Sequence, residues 1–178
     1  MDTLSVYSLL ELMDISFSKF NISDRFKGYI CDFKMYEFKK GMLVDSSSAI
    51  EKLPVSVRNI LEIQNDLPIG IYSHKKTDSL LKVYCRIGGL GLNLKFNLLP
   101  DIRYSWKEVY DMQAGTKKIQ PFQFFPLIAY TAPVGEKYSS NPGSSEFCKI
   151  NGESIAYPNW FKELGIEHYY VVGIHLKK

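Results

Sequence analysis

The chain has 178 residues, 46% hydrophobic and 23% charged, a balance that excludes a disordered polymer and fits one folded domain. Its 22 basic residues against 19 acidic ones leave a net charge of +3, which permits an anionic partner without demanding one. No apolar run reaches membrane-spanning length, and the acidic start Met1-Asp2-Thr3-Leu4 lacks a signal-peptide pattern, so an intracellular, non-secreted protein is expected.

Leu4, Tyr7, Leu10 and Met13 recur at helical spacing behind Asp2 and Thr3, which predicts a short helix over 3–13. Phe17 to Phe26 is aromatic and reads as irregular. From Tyr29 to Phe38 the chain alternates, with Tyr29, Cys31, Phe33 and Met35 on one face and Asp32 and Lys34 on the other. That predicts a strand, ending in a turn at Lys39-Lys40-Gly41. Ser46 to Asn65 carries a helical pattern with Ser48 and Glu51 as a capping box. Pro54 lies too deep for the first turn, so a kink or two short helices are expected, burying Ile50, Leu53, Val57, Ile60 and Leu61. Leu67 to Ser73 reads as a strand, and His74 to Asp78 as a polar connection.

The clearest pattern is Leu80 to Leu98, where two alternating runs meet at Gly88-Gly89. Both glycines tolerate positive φ, which suits a tight hairpin turn. Such a turn sets Ile87 opposite Leu90, Cys85 opposite Leu92, Val83 opposite Leu94 and Leu81 opposite Phe96, all eight on one face. The reverse face carries Lys82, Tyr84, Arg86, Asn93 and Lys95, with Lys82 directly across from Lys95. Like charges so placed destabilise a strand pair, and a bound anion would compensate.

Ser105 and Glu108 form a second capping box, predicting a short helix through Met112 that Gly115 can end. Phe122 to Ala132 is apolar but bounded and interrupted by Pro121, Pro126 and Pro133, which predicts an edge strand or extended loop. A mobile loop is expected over about 137–145, around Asn141-Pro142-Gly143, and a hairpin turn at Asn151-Gly152. Trp160 to Leu164 reads as one helical turn stopped by Gly165, and Ile166 to Leu176 as a buried strand. The sum is a single α+β domain over 1–178, a largely antiparallel β-sheet with a few short helices packed on it.

Chemical motifs are sparse. Cys31, Cys85 and Cys148 are far apart, with no CxxC pair to hold zinc, and read as reduced thiols. His74 falls in a predicted loop, and His168 and His175 fall on opposite faces of one strand, so no metal-ligand spacing appears. Gly88, Gly89 and Gly91 precede a strand, whereas a phosphate loop must open a helix. No GxSxG elbow exists. Glu37-Phe38-Lys39 matches the ExK part of metal-dependent nucleases, with Asp24 or Asp32 as a further ligand. No cofactor, metal or catalytic set is otherwise expected.

What remains is basic surface. Lys82, Arg86 and Lys95 share a face with Tyr84, and Lys39-Lys40, Lys75-Lys76 and Lys117-Lys118 sit in predicted turns. Cations interleaved with an aromatic suit phosphate contact with base stacking, or an acidic lipid surface. The anion-binding candidates are therefore Lys82, Tyr84, Arg86, Lys95, Lys39, Lys40, Lys117 and Lys118.

Tyr-Ile-Cys-Asp-Phe-Lys-Met-Tyr at 29–36, the turn Lys39-Lys40-Gly41 and the helical pattern of Ser46 to Asn65 resemble, in order, the first core strand, turn and packed helix of rhabdovirus matrix proteins. The resemblance implies a structural role in host cytoplasm and virion: condensing ribonucleoprotein, bridging it to membrane, and self-associating. Two family features are missing: a lysine-rich amino terminus and a Pro-Pro-x-Tyr motif, while Tyr130-Thr131-Ala132-Pro133 departs from Pro-Thr/Ser-Ala-Pro at its first position. The leading expectation is a non-enzymatic interaction protein of this kind. The alternatives are a small nuclease using Glu37 and Lys39, and a protein-binding inhibitor or host-takeover factor docking through Phe122 to Tyr130.

Overall fold

The computed structural model describes residues 15–109, 119–135 and 156–178, with Leu10 and Met13. The expected helix over 3–13, the loop at 137–145, the Asn151-Gly152 hairpin, Cys148 and the pair Lys117-Lys118 lie outside the described residues. Among the described residues nine strands form two antiparallel sheets: β1 (Ile15–Ile22), β2 (Ile30–Lys39), β3 (Met42–Ser48), β4 (Leu67–Thr77), β5 (Leu80–Ile87), β6 (Leu90–Asn97), β7 (Ser105–Glu108), β8 (Phe124–Thr131) and β9 (His168–Lys177). One sheet has the order β1-β4-β5-β6 and the other β3-β2-β9-β8-β7. A short helix, α1 (Trp160–Leu164), ends at Gly165 with φ 65°, as its sequence predicts. The domain is thus α+β with largely antiparallel pairing, and the sheets face each other across one main core.

Alternation builds that core. Ile69, Ile71, Leu81, Val83, Cys85, Ile87, Leu94 and Phe96 point inward from the four-stranded sheet, meeting Cys31, Phe33, Met35, Val172, Ile174 and Leu176 from the other. The β5–β6 hairpin has the register its sequence dictates, Ile87↔Leu90 through Leu81↔Phe96, and Gly88 turns it with φ 54°. Tyr170 fastens the sheets together. Its hydroxyl donates to the Asn97 carbonyl at 2.8 Å and accepts the Asn97 N–H at 3.0 Å, while its ring stacks on Phe96 at 4.2 Å. A second cluster on the far side of the five-stranded sheet packs Phe38, Trp160, Leu164, Ile166, Tyr169 and Val171 under α1.

Four segments differ from their sequence reading. Phe17 to Ile22 belongs to β1, not to an irregular stretch; its inward positions include Ser18, buried because its hydroxyl accepts the Trp106 indole N–H at 3.0 Å. Ser105–Glu108 is a strand paired with β8 rather than a helix start, since Trp106 is drawn into the core between the sheets. Phe124–Thr131 is an interior strand between β9 and β7, not an edge. Pro126 is in register with Gly173, Leu127 is the unpaired residue of a bulge, and β7 pairs only with Ile128 to Thr131, so Pro126 meets no ladder on the β7 side. Gly173 lies beside this bulge, where an added Cβ would come within 2.2 Å of the Phe125 carbonyl oxygen. Finally, β3 runs through Ser48, and two 3₁₀ stretches, Ile50–Lys52 and Val55–Leu61, flank Pro54. This matches the two-helix expectation in outline, but of Ile50, Leu53, Ile60 and Leu61, Ile60 is exposed and Leu61 alone is fully buried. Asp32 sets the entry to this segment: its buried carboxylate accepts from Ser48 Oγ at 2.7 Å, the Ile50 N–H at 3.2 Å and Lys177 Nζ at 2.7 Å.

Candidate functional site

Among the described residues no element packs over the outer face of the four-stranded sheet, and registers across it define three rows. Phe17, Tyr72, Tyr84 and Asn93 form the middle row. Lys19, Gly70, Arg86 and Gly91 form the row on one side, and Ile15, His74, Lys82 and Lys95 the row on the other. Neighbouring strands lie about 4.8 Å apart and successive outward residues about 6.8 Å apart, so cations flank a line of rings on both sides. Phe17 stacks on Tyr72 at 4.7 Å, and Tyr72 meets Tyr84 at 6.4 Å.

An ideal Cβ on Gly91 would sit 2.0 Å from the Tyr84 hydroxyl, and one on Gly70 would sit 3.2 Å from Tyr72 Cε2. Each phenol therefore occupies space that a side chain at the glycine would need. Beside Phe17 and Tyr72, a depression of about 320 Å³ is lined by Lys19, Gly70, Arg86 and Gly88 among others. Lys19, Lys82, Arg86 and Lys95 are all exposed, and none is in an ion pair among the described residues. No acidic residue shares these rows.

The face therefore brings together Lys82, Tyr84, Arg86 and Lys95, as the hairpin pattern predicts. It does not include Lys39 and Lys40. Those belong to the other sheet, where Lys39 Nζ is paired with Glu37 Oε1 at 2.8 Å and Lys40 occupies the β2–β3 turn with φ 49°. Lys75 is likewise paired, with Asp78 at 2.8 Å. Sequence reasoning missed Phe17, Lys19, Tyr72 and His74. The signal was present in the alternation of Phe17-Lys19-Asn21, but serines at the inward positions hid it. His74 lies on β4 rather than in a loop, because β4 continues to Thr77.

The nuclease candidates fall into a different arrangement. Glu37 faces the inter-sheet side of β2, and Glu37 Oε1 accepts from both Lys39 and His168 Nε2, the latter at 3.0 Å. An ionised carboxylate only accepts, so Nε2 carries the imidazole proton. Nδ1 then accepts from the Tyr104 hydroxyl, whose oxygen takes the Leu99 N–H at 3.2 Å. Burial raises the Glu37 carboxyl, but the bonds and charges of Lys39 and His168 outweigh it and hold it below the usual carboxylate range. Burial lowers His168, more than Glu37 raises it, so the ring is held neutral. Each proton in this chain has a fixed acceptor, which suits locking β2, β9 and the loop before β7 together. Asp32 points to the opposite face of β2, and Asp24 lies in a 3₁₀ turn where its own N–H is held by Asp66. Among the described residues no group of three His, Cys, Asp or Glu is placed to hold a metal ion.

No family model, curated protein or solved structure matches this chain. Among the described residues no helix is long and apolar enough to cross a membrane. In the Phe122 to Tyr130 stretch Phe125 to Tyr130 are buried, and Phe122 and Gln123 are exposed.

Proposed function

We propose that this chain is a non-enzymatic interaction protein that docks on an anionic assembly, a ribonucleoprotein, through the outer face of its four-stranded sheet. One observation carries the reading: Lys19, Lys82, Arg86 and Lys95 surround three aromatic rings with no acid among them. Lys82 opposite Lys95 costs stability in the isolated protein. A phosphate layer over the face would turn that repulsion into attraction and release counterions. Condensation of a viral ribonucleoprotein, the role the matrix-protein resemblance implies, would use this surface and needs no catalytic centre.

The test is co-sedimentation with nucleoprotein at low salt. Reversal of charge at Lys82, Arg86 and Lys95 together should abolish it, and unchanged binding would refute the assignment. Incubation with labelled nucleic acid and magnesium or manganese provides the second arm. Cleavage that disappears in Glu37→Ala would replace this reading with the nuclease one.

A further inference from the structure

We infer that the occupant of this face is single-stranded nucleic acid, with one nucleotide seated in the depression between β1, β4 and β5. The inference rests on the docking reading above and narrows it to one chemistry. Two features select a single strand. First, Phe17, Tyr72 and Tyr84 form a row of rings on the outer face, Phe17 stacked on Tyr72 and the exposed Tyr84 leaning over the bare backbone of Gly91. A ring face is what an unpaired base stacks on, and stacking accepts any base. A duplex keeps its base faces inside, and an acidic membrane rewards protruding apolar tips or loose lysines rather than a row of packed rings.

Second, the charges are placed for a backbone running beside those rings. Arg86 sits between Gly70 and Gly91 in its row, next to both tyrosines, and Lys19 closes the end of that row. The depression of about 320 Å³ holds Lys19 and Arg86 against Phe17 and Tyr72. That is the lower end of the small-ligand range of about 300–1,000 Å³, enough for one base and its phosphate. The next base lies on Tyr84. Lys82 and Lys95, on the far side of the ring row, take the phosphates of a strand that crosses from β4 toward β6.

The experiment is fluorescence anisotropy with a labelled eight-nucleotide single strand, as RNA and as DNA, and with the corresponding duplex, at one low salt concentration. Vesicles containing phosphatidylserine form a parallel arm. The intact protein should bind the single strand at least tenfold tighter than the duplex. Tyr84→Ala should weaken binding roughly five- to 150-fold, the range of one base–aromatic stack, and Tyr84→Phe should keep it. Gly91→Ala removes no charge and no ring. It lifts the Tyr84 ring off the backbone, so it should weaken the single strand while leaving thermal stability within the normal range of a surface change. Single strand and duplex bound alike, with only cation substitutions mattering, would overturn the stacking inference and leave anionic docking intact. Binding to vesicles alone would overturn it in favour of a lipid surface. Failure to bind oligonucleotide, vesicle and nucleoprotein would remove both the inference and the reading beneath it.

Discussion

Lys82→Glu should make the protein more stable and a worse binder at once. Lys82 and Lys95 are exact cross-strand partners in β5 and β6, so the substitution replaces a repulsive pair with an attractive one. Each such pair is worth roughly 0.2–1 kcal/mol, and solvent screening of two exposed side chains keeps the sum near about 1 kcal/mol. For a chain of 178 residues that corresponds to a melting temperature higher by roughly 2–4 °C. Thermal denaturation at about 10 mM salt should show the gain. In 1 M salt, where the Debye length falls to about 3 Å, it should vanish. Binding should move the other way. Four phosphate contacts give a log–log salt slope of about −2.8 for a single strand, and losing one reduces its magnitude by about 0.7. A variant that melts lower at low salt, or binds with the parental slope, would show that these lysines are neither opposed nor engaged as argued.

Tyr170→Phe removes the hydroxyl that serves both the N–H and the carbonyl of Asn97, and should cost about 1–3 kcal/mol in urea unfolding with the slope unchanged. Acid should destabilise the fold in two stages. His168 has its folded pKa below the ordinary value of 6.5, so below about pH 6.5 the unfolded chain takes up a proton the native one refuses, and stability falls. Glu37, also depressed when folded, adds a second loss below its ordinary value of 4.5. Urea midpoints against pH should show both, and His168→Asn should flatten the first. Native protein should expose at most one of its three thiols to a thiol reagent at pH 8. Cys31 is pushed up to about 12 by burial and by Asp32, and burial pushes Cys85 higher still; denaturant should release all three.

The β5–β6 hairpin was legible in the sequence because every inward position is apolar and the turn is a glycine pair. β2 and β9 were legible from the apolar alternation of Cys31, Phe33 and Met35 and of Val172, Ile174 and Leu176, with Glu37 and His168 as the inward exceptions. β1 was not legible because its inward side mixes Ser16 and Ser18 with Phe20 and Ile22, and Ser18 is buried only by virtue of Trp106, 88 positions away. β7 was misread for a related reason: Ser105 and Glu108 satisfy a local helix-start rule, but pairing with β8 overrides it. Half of the candidate face followed from one hairpin. The other half, Phe17, Lys19 and Tyr72, depends on β1 and β4 joining that hairpin, which no local pattern encodes.

Two residues that contribute no atoms beyond the main chain give the outer face its character. With side chains at 70 and 91 the phenols of Tyr72 and Tyr84 would have to swing aside; without them they lean over the main chain. Mutational scans that ask only which side chains matter would pass over the two positions where having none is the design.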